Sequence, residues 1–302
     1  VDKVKHGKNI TIKDCYFNNV WQTSTTTMGA NNVFYINNIF EKLAGSCKFA
    51  QRYDLGGNLF ILGNRITGVK KSETTSTSYS HGIELNNYRN VIIKDNIIDS
   101  VGGQGVFISN NTRSEDADRY VLTGEITIEN NKISNFDTSG IYLYNPTVTI
   151  NSTSIKEKMS NIYIRNNTFN NIVKSSSSTI QCSGNQLTDI YIENNFSSNP
   201  NVAFFNYTCD PILNEDETYK YSDSRVFIRN NTLLGSSSGI NLLKYVNGLV
   251  IESNYIESTT YCISTSVYSE DYMIKNNTLS MVGTVGNCIN GQGELNRATI
   301  EG

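Results

Sequence analysis

One phrase of apolar and polar positions recurs along the chain. It runs apolar, any, apolar, two residues, Asn, any, apolar, two residues, apolar. It reads Val33-x-Tyr35-x-x-Asn38-x-Phe40-x-x-Leu43 and returns as Leu59-x-Ile61-x-x-Asn64-x-Ile66-x-x-Val69. Val91-x-Ile93-x-x-Asn96-x-Ile98, Ile126-x-Ile128-x-x-Asn131-x-Ile133 and Ile162-x-Ile164-x-x-Asn167-x-Phe169 follow it. The later copies centre on Asn231, Asn254 and Asn277. The first copy, from Ile10, carries Cys15 where Asn is expected, and the copy ending in Asn195-Phe196 reads as one residue short. Between copies lies a second short run, Gly-apolar-x-apolar, as in Gly82-Ile83-Glu84-Leu85, Gly105-Val106-Phe107-Ile108 and Gly140-Ile141-Tyr142-Leu143.

Alternation within each run predicts strands with one face inward. The runs are too short for hairpins and suit the sides of a coil that stacks on the next coil. The Asn is expected to turn the chain, because Asn tolerates a left-handed backbone and bonds locally. Val226, Leu249 and Tyr272 begin copies 23 residues apart, the size of one coil. The fold class expected is all-β: a right-handed single-stranded parallel β-helix solenoid with three short strands per coil. About eleven coils, the last incomplete, give a rod on the order of 50 Å. Residues 1–302 read as a single domain. The chain begins at Val1 and stops inside a repeat, so it is expected to be a piece of a longer one. A leucine-rich repeat shares part of the phrase. Ile in place of Leu, an unpatterned position before each copy (Gly7, Tyr88, Thr123) and a returning strand instead of a helix argue against it.

Composition sharpens this reading. Apolar residues make up 38% of the chain, low for a globular core but sufficient for a thin stacked column. Asn is the commonest residue and Ile outweighs Leu, so little helix is expected. A net charge of -3 with scattered signs gives no basic stripe for nucleic acid. No run approaches the roughly 20 apolar residues of a membrane span, and no signal peptide is read. The six cysteines show no metal-type spacing. Cys182 falls at an inward strand position. Cys262 and Cys288 fall at equivalent positions of successive repeats, either as buried thiols or as a disulfide pair. Asn-x-Ser/Thr triplets, such as those at Asn166 and Asn276, arise from the repeat itself.

On these repeats the chain resembles the parallel β-helix repeat family of the pectate-lyase-like superfamily. That superfamily includes polysaccharide lyases, glycoside hydrolases, uronate epimerases and phage tailspikes. The resemblance spans essentially the whole chain and implies the fold, with polysaccharide as the expected partner. The Asn-Thr-Asp and Asp-Asp pairs of polygalacturonases and the Asp-Pro-His run of alginate epimerases are missing. Only His81-Gly82 matches the His-Gly of the former.

Insertions mark the working face of a solenoid. Here 109–124, 144–160 and 206–224, with a shorter 50–57, fall at one corner after the Gly-apolar-x-apolar strand. They predict a groove whose floor carries an outward row of Lys48, Glu84, Phe107, Tyr142 and Gln181. Its walls would bring Arg52, Asp54, Arg113, Glu115, Asp116, Asp118 and Arg119. Aromatic faces cover sugar rings, and carboxylates and amides hold hydroxyls. Lys48, Arg52, Asp54, Phe107, Tyr142 and Arg113 are therefore the candidate substrate-binding residues. Glu84, Asp116, Asp118, His81 and Arg119 are the candidate catalytic ones. Glu84 with Asp116 or Asp118 suits a glycosidase. The basic groups Lys48, His81, Arg52, Arg113 and Arg119 suit a lyase or epimerase. The ordinary reading of each charged loop residue is a solvated surface, and of Glu84 an ion pair with Lys48. No metal or cofactor is expected.

A second outward row is mostly apolar: Phe34, Phe60, Ile92, Thr127, Tyr163, Tyr191, Phe227, Val250 and Met273. A stripe this long invites a partner chain, and a side-by-side homotrimer of the tailspike kind is the expectation. The functional reading is an extracellular or virion-surface, polysaccharide-recognising β-helix, with lyase or hydrolase activity as its active form. A non-catalytic rod or adhesin and a lectin-like receptor binder are the alternatives.

Overall fold

The computed structural model describes residues 7–20, 30–44, 56–70, 80–86, 88–109, 124–146, 148–150, 153–155, 159–173, 178–185, 187–199, 202–210, 224–243, 246–265, 268–283, 286–291 and 294–302. They form a right-handed parallel β-helix with no helical segment among them. The first sheet has 11 parallel strands, from Lys8–Lys13 to Glu294–Glu301, each paired with its counterpart one repeat away. The second begins at Tyr16–Asn18 and the third at Ile83–Asn86. The strands Thr232–Leu242 and Tyr255–Thr265 run through both, which joins these two into one 16-stranded sheet.

The apolar positions of the repeat point inward as expected: Val33, Tyr35, Phe40, Ile61, Ile93, Ile128, Ile164 and Ile228 are all fully buried. The conserved step of the phrase is a different matter. Asn38, Asn64, Asn96, Asn131, Asn167, Asn195, Asn231 and Asn254 are buried, at most 2% exposed. Each buried amide needs its bonding capacity met, and the neighbouring coils meet it. Asn131 Oδ1 accepts both the backbone N–H (3.0 Å) and the side-chain N–H (2.9 Å) of Asn96. Asn131 Nδ2 donates to the Ile93 carbonyl of the preceding coil at 3.0 Å and to Asn167 Oδ1 at 3.0 Å. The same set repeats along the column to Asn277. At the first step Cys15 gives its backbone N–H to Asn38 Oδ1 and brings no amide to the ladder.

This corrects the turning role given to the Asn. The left-handed residue is the one before it: Asp14, Asn37, Gly63, Asp95, Asn130, Asn166, Asn194, Asn230, Ser253 and Asn276 all have φ between 53° and 65°. The preceding residue bends the chain, and the ladder Asn locks the bend to its neighbours. The copy at Asn195 has not lost a residue either. Phe196 pairs with Thr168 and faces out, 37% exposed, while Ser197 takes the inward step opposite Phe169. Asn199 Nδ2 donates to Ser197 and Thr179 there, so a small polar cluster replaces an apolar side chain.

The glycines before the third-sheet strands are set by stacking. A Cβ at Gly82 would lie 2.6 Å from the Gly105 carbonyl, and one at Gly105 would lie 2.6 Å from that of Gly140. Cys182 is buried as expected, and Cys262 and Cys288 sit on adjacent coils as free thiols, the first buried and the second exposed.

Replacing Asn131 by Ala leaves the Asn96 backbone N–H without its acceptor in the dry interior and removes one bond each from the Asn96 amide and the Ile93 carbonyl. We expect a loss of about 2–4 kcal/mol in unfolding free energy by denaturant titration. A change below about 0.5 kcal/mol would remove the ladder from the stability account.

Candidate functional site

The third sheet aligns its outward residues by register. Glu84 pairs with Phe107, Phe107 with Tyr142, and Tyr142 with Gln181. The row continues through Asn206, Asn241, Ser264 and Asn290. It therefore passes from a carboxylate through two aromatic rings to a run of amides, one step per coil. Of the expected groove residues, Glu84, Phe107, Tyr142, Gln181 and His81 are brought together. Lys48, Arg52, Asp54, Arg113, Glu115, Asp116, Asp118 and Arg119 lie outside the described residues. Part of the expected insertions is regular structure: Val148–Ile150 pairs antiparallel with Thr153–Ile155, and the strand Ala203–Asp210 takes in the start of 206–224.

The two rings are not stacked flat. Phe107 and Tyr142 lie 5.4 Å apart with planes at 46°, and Tyr142 and Tyr144 lie 5.9 Å apart at 39°. Tilted rings leave part of each face to solvent. His81 packs on Phe107 with centroids 4.9 Å apart. Its Nδ1 accepts the Gln104 backbone N–H at 3.2 Å. The backbone thus fixes the ring in place at 6% exposure.

Several buried polar atoms around this corner have no partner among the described residues: Gln104 Oε1, Thr138 Oγ1, Ser178 Oγ and, in the row itself, Asn206 Oδ1. Buried acceptors and hydroxyls are normally satisfied, so these atoms suit enclosed water. Gln104, Thr138, Ser183, Tyr144 and Asn206 were not among the sequence candidates. Ser183 and Tyr144 fall two residues beyond the row on the same strands, where strand period alone locates them. Tyr142 Oη and Ser183 Oγ are 2.7 Å apart.

The first-sheet row behaves differently. Phe34 and Phe60 stack at 4.6 Å and 4°, Tyr163 and Tyr191 at 5.0 Å and 11°, Tyr191 and Phe227 at 4.9 Å and 9°. Arg229 lies 4.8 Å above the Phe227 ring. These faces cover one another and only edges reach solvent, so the stripe is half-buried in a single chain. Beside it runs a charge row of alternating sign: Lys94, Glu129, Arg165, Glu193, Arg229, Glu252 and Lys275. Glu129 pairs with Lys94 and Arg165, and Glu252 with Arg229 and Lys275.

Among the described residues no three His, Cys, Asp or Glu side chains converge as a metal site, and no helix is long and apolar enough to cross a membrane.

No protein-family model and no curated protein matches the sequence. Solved structures do. A surface adhesin of Streptococcus pneumoniae, PfbA, aligns over 100% of this chain and 74% of its own, at 13% identity and a TM-score of 0.51. The catalytic unit of an alpha-1,3-glucanase from Streptomyces thermodiastaticus aligns over 93% and 63%, at 13% identity and a TM-score of 0.44. A periplasmic alginate epimerase, AlgG, aligns over 99% and 79%, at 10% identity and a TM-score of 0.45. At such identity the likeness is one of fold, the parallel β-helix.

Burial raises the Tyr142 phenol above its ordinary value of 10.0, and the Ser183 bond only partly offsets it. The neutral phenol is favoured in the folded state. Its contribution is therefore complete below about pH 10 and is lost as pH rises through the higher folded-state value. In an alkaline absorbance titration, subtracting Tyr142→Phe from the parent should leave a phenolate that appears above the ordinary value. A residue titrating at or below that value would contradict the burial.

Proposed function

We propose that this β-helix recognises a polysaccharide along its third sheet, with Phe107 and Tyr142 as the ring-stacking platform. The observation that carries this is the row itself: a carboxylate, two tilted rings and successive amides on neighbouring coils. Coils are spaced about 4.8 Å apart, close to the length of one sugar unit, so an extended glycan can follow the row. Rings take the C–H faces and the amides take hydroxyls. An extracellular or virion-surface location, as for a tailspike-like or secreted protein, accords with such a partner. Cleavage is the finer form of the reading. Glu84 is the acid or base, with Asp116 or Asp118 as second carboxylate for hydrolysis. His81 and Arg119 serve instead for elimination.

A panel of capsular, uronate-rich and neutral polysaccharides, scored for binding and for new reducing ends, tests this. Binding of one glycan should weaken about tenfold, or about 1.4 kcal/mol, in Tyr142→Ala. Reducing-end release abolished by Glu84→Gln would make the protein an enzyme acting at this row. Binding untouched by Phe107→Ala and Tyr142→Ala would discard the site.

Self-association is a second reading, carried by the unbroken half of the first-sheet stripe: Tyr163, Tyr191, Phe227, Val250 and Met273. Light scattering is expected to return a trimer that Tyr191→Asp dissociates. A monomer at micromolar concentration would end this reading.

A further inference from the structure

A second column runs along the first sheet, one residue before the first apolar position of each repeat. Its first four steps are Asn9, Asn32, Asn58 and Asn90, joined side chain to side chain: Asn32 donates to Asn9 at 3.0 Å, Asn58 to Asn32 at 2.8 Å and Asn90 to Asn58 at 2.8 Å. The next steps are Glu125, Asn161, Asp189, Arg225, Gly248, Asp271 and Arg297, in the register of the strands that follow them. Two of the three carboxylates in this column meet an arginine. Asp189 pairs with Arg225 at 2.6 Å, and Asp271 pairs with Arg297 through two contacts of 2.7 Å. Glu125 stands between Asn90 and Asn161, and among the described residues it has no cation. The Asn90 amide N–H is already given to Asn58.

Glu125 also borders a cleft. The cleft has a volume of about 260 Å³ and is lined by Asn58, Phe60, Asn90, Val91, Ile92 and Glu125. The apolar stripe supplies its floor, Phe60 and Ile92, and the amide column supplies its wall. The aromatic stack breaks here, because Ile92 and then Thr127 follow Phe60. Such a space takes one ring, smaller than the roughly 300 Å³ at which drug-sized pockets begin.

We propose that this cleft binds a protonated amino sugar, with the ammonium on Glu125, ring hydroxyls on the Asn58 and Asn90 amides and ring C–H groups on Ile92 and the outward edge of Phe60. The uncompensated carboxylate selects a cation, and a space of about 260 Å³ with an apolar floor fits one sugar ring. The site lies on a different sheet from the Phe107 and Tyr142 row and does not rest on it.

The probes are a tetramer of glucosamine, its fully N-acetylated form and spermidine, titrated calorimetrically below the amine pKa at low salt. The glucosamine tetramer should bind, weaken about tenfold or more in Glu125→Gln, and keep its affinity in Tyr142→Ala. Glu125 is exposed, and an unchanged melting curve of Glu125→Gln shows that the fold is intact. Equal binding of the acetylated tetramer, or binding indifferent to Glu125→Gln, would overturn the proposal. Spermidine binding as tightly, with Phe60→Ala without effect, would reduce the site to a cation contact and overturn it as a sugar site.

Discussion

The buried asparagine column is the constraint on which the rest depends. A primary amide inside an apolar column is costly unless its donors and acceptor are all used. Here each amide is satisfied only when the coils on both sides hold their register. A slip of one residue would leave several buried groups unpaired at every step. The column thus acts as a ratchet that aligns successive coils, and the strands and outward rows inherit that alignment.

Alignment has different consequences on different faces. On the first sheet, like follows like, and flat rings stack on flat rings. Their faces are spent on one another, and the adjoining charges pair along the column. What that sheet leaves open is ring edges and the Glu125 step. On the third sheet the row changes character at each coil. Tilted rings and amides follow one another along its outward row. The same stacking rule covers ring faces on one sheet and leaves them tilted and partly open on the other.

Much of this was legible in the chain. Period-2 alternation gave the inward positions, and the spacing of copies gave the register that puts Glu84, Phe107, Tyr142 and Gln181 in one row. The role of the Asn was misread because two adjacent residues share the work. Asp95, Asn130 and Asn166 carry the left-handed turn, while Asn96, Asn131 and Asn167 carry the bonds. Type alone does not separate Asn130 from Asn131; only burial does. Phe196 misled for the opposite reason: an apolar residue stands where the pattern points outward, and the inward step went to Ser197. Glu125 escaped notice because it precedes the apolar phrase. Reading the column of preceding residues down the repeats would have shown a carboxylate without the arginine that follows Asp189 and Asp271.

The central claim is that function resides where ring faces are open and not where they are stacked. Nuclear magnetic resonance of the protein with its ring protons observed, titrated with an oligosaccharide from whichever polysaccharide binds, tests it most directly. The account predicts that Phe107 and Tyr142 ring signals shift on binding while those of Tyr163, Tyr191 and Phe227 stay still. Shifts confined to the stacked rings of the first sheet would contradict it.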